Sequence, residues 1–233
     1  MHVFKKGLSA SFPIFLGYLP VAIAFGISAR GIGLSVIDSI MISALIFAGA
    51  SQFALVSLLA TGTSAAVASI AALMLNLRHI LYGLLLAPLL KRVKFSTVAP
   101  LAFGLTDEVF ATAISQLEKI PKEKRILWLL GLEVGAYLSW VFGTLLGAIG
   151  SSILLAISPT FAPTLSFALP ALFLVLLLPL LQGATMFVAA LTGGFVALIF
   201  HLAGLTAFGI LAAGVIGPLL GFAFRRRFAW NGM

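Results

Sequence analysis

The 233-residue chain contains no cysteine, so disulfides, zinc–thiolate centres and iron–sulfur clusters are excluded from the start. It is also poor in charge: Asp, Glu, Lys and Arg together make up only 9% of the residues, and just six of those are acidic. A soluble domain normally carries about a quarter charged residues, because its surface must face water. A scarcity of this degree rules out a soluble globular enzyme, a disordered chain and a coiled coil. What is abundant is apolar: 62% of the residues are hydrophobic and the mean hydropathy is +1.22. The composition is that of an all-α integral membrane protein with several spanning helices.

The net charge of +8 does not indicate nucleic acid, which calls for a basic stripe on a soluble fold. Here the basic residues sit between apolar runs, as positive-inside anchors do. Met1 to Lys6 place basic residues before an apolar run in the manner of a signal peptide. That run continues for about twenty residues without a small-x-small cleavage site, so it is expected to be a retained first span.

Charges and turn residues divide the chain into eight apolar segments: Ser11–Ala29, Ile40–Ala60, Ala65–Pro88, Val98–Leu117, Ile126–Ile149, Phe161–Leu181, Thr185–His201 and Ala203–Phe224. A transmembrane β-barrel would instead show alternating segments of about ten residues. The expected architecture is a polytopic helical bundle of seven to eight hydrophobic segments, some broken or re-entrant, forming one transmembrane domain over residues 1–233.

Four basic clusters flank these segments: Lys5/Lys6, Lys91/Arg92/Lys94, Lys119 through Arg125, and Arg225–Arg227. If all four are cytoplasmic, an even number of crossings must separate each pair. Three segments precede the second cluster and one lies between the second and third, so counting fails twice. Either one cluster sits outside, or some segments do not cross. Two segments contain candidate breaks, at Ala48-Gly49-Ala50-Ser51-Gln52 and at Gly104-Leu105-Thr106-Asp107-Glu108. Non-helical backbone at membrane depth is tolerated where protein or a wet cavity satisfies it.

The intramembrane polar residues are the functional candidates. Asp107 and Glu108 lie near the middle of an apolar segment, where ionised carboxylates cost several kcal/mol (about 3 on insertion scales) unless paired, hydrated or protonated. Neighbouring helical residues point about 100° apart, so the two cannot address one small site. A structural ion pair, or a segment end in water, competes with a ligand or proton role. Arg78 is either a snorkelling cation or a guanidinium that forks onto a carboxylate, from a substrate or from Asp107. Tyr82, at i+4 from Arg78, shares its face. His79 titrates near neutrality and is a proton-relay candidate, against the commoner role of a hydrogen-bonded histidine. Glu133, seven residues after Ile126, is a further proton candidate, with residence near an interface as the alternative. His201 closes its segment and is expected at an interface. Gly49, Ser51 and Gln52 suit either close helix packing or a broken helix that presents backbone to a ligand.

Ser51 with His79 or His201 is also the raw material of an intramembrane serine hydrolase, but the glycine-x-serine-glycine pattern is absent. No nucleotide-binding glycine–lysine loop is present, and no metal or other cofactor is expected.

At these motifs the chain resembles the AzlC/YgaZ family, the large subunit of bacterial branched-chain amino acid exporters. The resemblance rests on Phe47-Ala48-Gly49-Ala50-Ser51-Gln52-Phe53, on Arg78-His79 with Leu81-Tyr82-Gly83, and on Gly104-Leu105-Thr106-Asp107-Glu108-Val109-Phe110-Ala111. Ser139-Trp140-Val141-Phe142-Gly143-Thr144 and Leu169-Pro170-Ala171-Leu172-Phe173 extend it in the same order. Glu133 and His201 are not among these motif positions. The resemblance implies a plasma-membrane exporter of valine, leucine or isoleucine, with methionine as a further substrate. It also implies a small, separately encoded membrane partner of the AzlD/YgaH type.

Such a substrate is a zwitterion with an apolar side chain, so its site needs an anion, a cation and a greasy wall. Asp107 or Glu108 is expected to receive the ammonium. Arg78, or amides exposed at Gly49–Ser51, is expected to receive the carboxylate, with Phe47, Phe53, Phe103 and Phe110 as apolar walls. Coupling to the proton gradient is expected through Asp107, Glu108, His79 or Glu133. A non-transporting subunit, whose polar residues only hold partner helices, is the alternative.

Overall fold

The computed structural model describes residues 2–90, 95–157, 181 and 183–229. The basic cluster 91–94, the apolar stretch 161–180 and the motif 169–173 within it lie outside the described residues. Among the described residues the chain is helical throughout, with no strand. Eleven α-helices follow in order: α1 (His2–Ala10), α2 (Phe12–Gly31), α3 (Val36–Ile46), α4 (Gly49–Ala60), α5 (Ala65–Asn76), α6 (Arg78–Leu86), α7 (Phe95–Gly104), α8 (Asp107–Gln116), α9 (Arg125–Ile157), α10 (Ala184–Leu202) and α11 (Thr206–Ala229). Among the described residues five stretches are long and apolar enough to cross a membrane: Phe12–Gly31, Ala65–Leu89, Lys122–Ile153, Ala184–Leu202 and Phe208–Arg226. A sixth, Thr97–Gly104 with Asp107–Lys119, is bent by 112° at its break. The chain is a multi-pass membrane protein.

The helices group into two compact units, one of residues 1–53 and 76–165, the other of residues 54–75 and 166–233. In the first unit α9 is the central post. Its residues Trp128, Leu132, Ala136 and Trp140 recur every fourth position and so share one face. Against that core stand Ile14, Tyr18 and Ala22 of α2 and Val109, Ala113 and Leu117 around α8, each again at a spacing of four. Glycines let the backbones touch. A Cβ at Gly147 of α9 would lie 2.0 Å from the Ile23 carbonyl oxygen, and one at Gly131 would lie 2.2 Å from that of Phe4. In lipid, where apolar surface alone gives little drive to association, such close packing is what holds helices together.

In the second unit α10 and α11 form a hairpin along a seam of small residues: a Cβ at Gly217 would meet the Ala189 carbonyl oxygen at 2.7 Å. Their outward faces carry Phe187, Leu191, Phe195, Leu198 and Phe222, all exposed, as suits side chains that face lipid.

The elements differ from the sequence reading in four places. α3 begins at Val36 rather than Ile40 because Ser35 and Asp38 form a capping box: the Asp38 amide donates to Ser35 Oγ at 3.0 Å, and the Ser35 amide to Asp38 Oδ2 at 2.9 Å. The segment expected at Ile126–Ile149 runs to Ile157, since Gly150-Ser151-Ser152 continues the helix and Ser151 Oγ donates back to the Ala148 carbonyl. The segment Ala65–Pro88 is interrupted at Leu77, between α5 and α6. A separate helix, α1, precedes the first span.

Candidate functional site

Three interruptions of apolar segments, all in the first unit, position the polar residues. The first is at Phe47-Ala48, where Phe47 adopts φ +41°, a left-handed conformation that ends α3 and re-aims the chain into α4. The second is at Leu77, and the third at Leu105-Thr106, between α7 and α8. At the third, Thr106 is the N-cap of α8 and its hydroxyl accepts from the Val109 amide. Asp107 and Glu108 therefore occupy the first turn of α8, where the partial positive charge of a helix N-terminus favours carboxylates.

The two carboxylates diverge, as adjacent helical positions must. Asp107 Oδ2 lies 2.9 Å from Arg78 Nη2, and Asp107 Oδ1 accepts from the Tyr82 hydroxyl. The ion pair is half exposed, at 37% for the Arg78 side chain and 41% for that of Asp107. The Tyr82 ring is sandwiched between His79 (centroids 5.6 Å apart) and Phe110 (4.6 Å). Glu108 instead accepts from the buried Tyr18 hydroxyl at 2.5 Å, and that oxygen also lies 2.6 Å from Thr106 Oγ1. Arg78, His79, Tyr82 and Asp107 thus come together in one cluster. Glu108 belongs to a second one, with Tyr18 and Thr106.

The residues at the first interruption are spent on each other. Trp140 Nε1 donates to Gln52 Oε1 at 2.8 Å, and Gln52 Nε2 donates to Ser43 Oγ at 2.8 Å. Ser43 Oγ is in turn 2.7 Å from Thr144 Oγ1. Both ends of the buried Gln52 amide are therefore occupied within the protein. Ser51 Oγ donates to Asn76 Oδ1 rather than to an imidazole. Gly49 lies under the Trp140 ring, where a Cβ would come within 2.8 Å. The first amides of α4, at Gly49 to Ser51, have no acceptor within their own helix.

Of the expected apolar walls, Phe47 packs on Phe103 and Tyr137, Phe110 on Tyr82, and Phe53 on Phe25. Glu133 is buried, at 4% exposure, with Oε1 lacking a hydrogen-bond partner. It sits against Gly104 at the third interruption. His201 ends α10 in the second unit, exposed, its Nδ1 3.1 Å from Thr206 Oγ1.

Six members of these clusters were not among the candidates from the sequence: Tyr18, Ser43, Asn76, Thr106, Trp140 and Thr144. The signal for the first was available. The chain has only three tyrosines, each inside an apolar run, and all three donate: Tyr18 to Glu108, Tyr82 to Asp107 and Tyr137 to the Ala44 carbonyl. A phenol in lipid asks for an acceptor.

Comparison with known proteins places these residues in a wider group. A family model described as AzlC protein matches residues 13–154, and one described as MJ1155 family matches residues 160–228. A membrane protein of Archaeoglobus fulgidus is 47% identical over 94% of each chain. The inner membrane protein YgaZ of Escherichia coli is 39% identical over 94% of this chain and 87% of its own. The branched-chain amino acid transport protein AzlC of Bacillus subtilis is 29% identical over 82% of this chain and 72% of its own. No solved structure matches the chain.

Proposed function

Because the chain belongs to the AzlC family, we propose that it is a secondary transporter that exports branched-chain amino acids across the plasma (inner) membrane. Valine, leucine and isoleucine are the substrates, with methionine as a further one, and residues 1–233 act as a single transporter domain. It works with a small membrane subunit of the AzlD/YgaH type. The Bacillus subtilis relative, a branched-chain amino acid transport protein by name, supports the substrate class.

The observation that carries this reading is the half-exposed Arg78–Asp107 pair at two helix ends. An amino acid zwitterion has the same two charges, so it can replace each partner in turn: its carboxylate on Arg78, its ammonium on Asp107. The pair keeps both charges satisfied when the site is empty, which lowers the cost of holding them at membrane depth. Tyr82 steers Asp107, and its sandwich with His79 and Phe110 offers an aromatic wall for the aliphatic side chain. The α4 amides at Gly49 to Ser51 are a second seat for the carboxylate; Gln52 shapes the wall behind them. Glu108 is the alternative ammonium acceptor once Tyr18 turns away. Export against a gradient requires a driving force, supplied by proton uptake and release at Asp107, Glu108, His79 or Glu133.

The test is valine counterflow in proteoliposomes, with and without the small subunit, across an imposed pH gradient. Asp107→Asn and Arg78→Ala each remove a charge that the zwitterion would pair with, and a hydrogen bond to a charged group is worth about 1.5–3 kcal/mol, so counterflow should fall by roughly tenfold or more. Membrane insertion should be intact. Normal counterflow in both variants would sink the assignment.

A further inference from the structure

The break between α7 and α8 has two electrically opposite ends. Asp107 and Glu108 sit at the positive end, the N-terminus of α8. Glu133 sits at the other. Its carboxyl packs on Gly104, the last residue of α7, so closely that a Cβ there would lie 2.6 Å from Cδ and 2.8 Å from Oε2. The last carbonyls of a helix lack intrahelical donors and carry partial negative charge. A carboxylate in this place is opposed by them; a carboxylic acid can donate its proton to one.

Among the described residues no cation is paired with Glu133. Arg78 of α6 is taken by Asp107, and Arg125, eight residues earlier on α9, donates to the carbonyls of Ile120, Leu89 and Glu118. The α8 carboxylates are held by Arg78 and Tyr82 and by Tyr18 of α2. Tyr137, one turn along α9, donates to Ala44 of α3. On α1, which packs on this stretch of α9, Leu8 borders Gly135, as does Ser11 just after it, while Lys5 and Lys6 are exposed; Asp38 of α3 is in its capping box. None of these groups shares a hydrogen bond or ion pair with Glu133, whose Oε1 is buried without a partner. Among the described residues no three His, Cys, Asp or Glu side chains gather that could hold a metal ion in its place.

We propose that Glu133 is the proton-carrying carboxyl of the transport cycle, and that the C-terminal end of α7 is the element that registers its charge. This rests on the transport reading above and narrows its four proton candidates to one. The carboxylate takes a proton from water on the side of higher proton concentration and returns it to water on the other; no other bond is made or broken. The neutral acid is seated against the α7 carbonyls and the anion is expelled from them. The break that carries Asp107 therefore has two arrangements, set by the proton.

Two measurements on the full chain test this, with valine as the probe. Glu133→Gln mimics the neutral acid. Valine exchange at equal pH should stay within about threefold of the native level, well under 1.4 kcal/mol. Accumulation driven by a pH gradient should fall to the level of a collapsed gradient. Gradient-driven accumulation at the native level would overturn the proposal, as would loss of exchange together with accumulation, which would make Glu133 part of binding or folding. Independently, infrared difference spectra between two pH values should contain a protonated-carboxyl band that Glu133→Gln removes. Its persistence in the variant would overturn the proposal. If the native chain exchanges no valine, the substrate assignment fails alone, and the infrared band still decides Glu133.

Discussion

At the scale of single residues, aromatic side chains donate to several of the polar groups in this bundle. Trp140 takes one end of the Gln52 amide and Ser43 the other, which ties the Phe47-Ala48 break to α9. Replacing Gln52 by Leu orphans the buried indole N–H, so thermal unfolding in detergent should show a loss of about 1–3 kcal/mol. An unchanged melting temperature would mean that the amide is not structural. The sequence shows which residues carry charge into the membrane, and Arg78, Tyr82 and Asp107 meet as their types and spacing suggest. It does not show who answers them. Tyr18 lies 90 residues from Glu108 along the chain, and Trp140 lies 88 from Gln52. No local periodicity encodes a partner at that distance. Arg125 is the reverse case: it reads as one more orientation charge, yet it is buried and binds three backbone carbonyls.

At the scale of elements, two breaks were legible because small residues and carboxylates interrupt an apolar run. The interruption at Leu77 was not, for it has no glycine or proline and its backbone keeps helical dihedrals (φ −56°, ψ −25°). The helix contacts yield a sharper expectation. Gly147→Ala puts a methyl 2.0 Å from a backbone oxygen of α2, whereas Gly17→Ala meets nothing within 4 Å. The first should cost about 1–3 kcal/mol or more by overpacking, and the second should stabilise slightly through helix propensity. Thermal unfolding of the pair checks this, and equal effects would contradict the seam. The start of α3 makes a pH prediction. The side-chain and backbone hydrogen bonds from Ser35 hold the Asp38 carboxyl below the usual aspartate value. A carboxyl lowered in the folded state stabilises above its unfolded value, about 3.9, and loses that contribution as pH falls through the folded value. Melting temperature should therefore drop on acidification more in the native chain than in Asp38→Asn, by a small margin since Asp38 is exposed. Parallel pH profiles would remove the cap's contribution.

At the scale of the whole molecule, the breaks answer the parity problem posed by the basic clusters. The five long spans run between Lys6 and Arg226, and the sequence of residues 161–181 is apolar and long enough to be expected as a further crossing. The α7–α8 pair turns by 112°, a geometry suited to entering and leaving on one side. The α3 and α4 halves, of 11 and 12 residues, are each too short to cross alone, since about 20 are needed. If both broken pairs return to the side they entered from, two crossings separate Lys6 from Lys91. None separates Lys91 from Lys119, and four separate Arg125 from Arg225. All four basic clusters then share the cytoplasmic face, as the positive-inside tendency requires. On that arrangement the two broken pairs enter from opposite faces, each with a helix N-terminus at its break, Gly49 in one and Asp107 in the other. Because the chain has no cysteine of its own, single substitutions report position without background. Cysteines placed at Lys6, Lys122 and Arg226 should react with an impermeant thiol reagent from the cytoplasmic face alone. Those at Ser35, Thr63 and Gly204 should react from the opposite face alone. Labelling of Ser35→Cys and Thr63→Cys from different faces would show that α3 and α4 together cross, and the parity argument would fall with it.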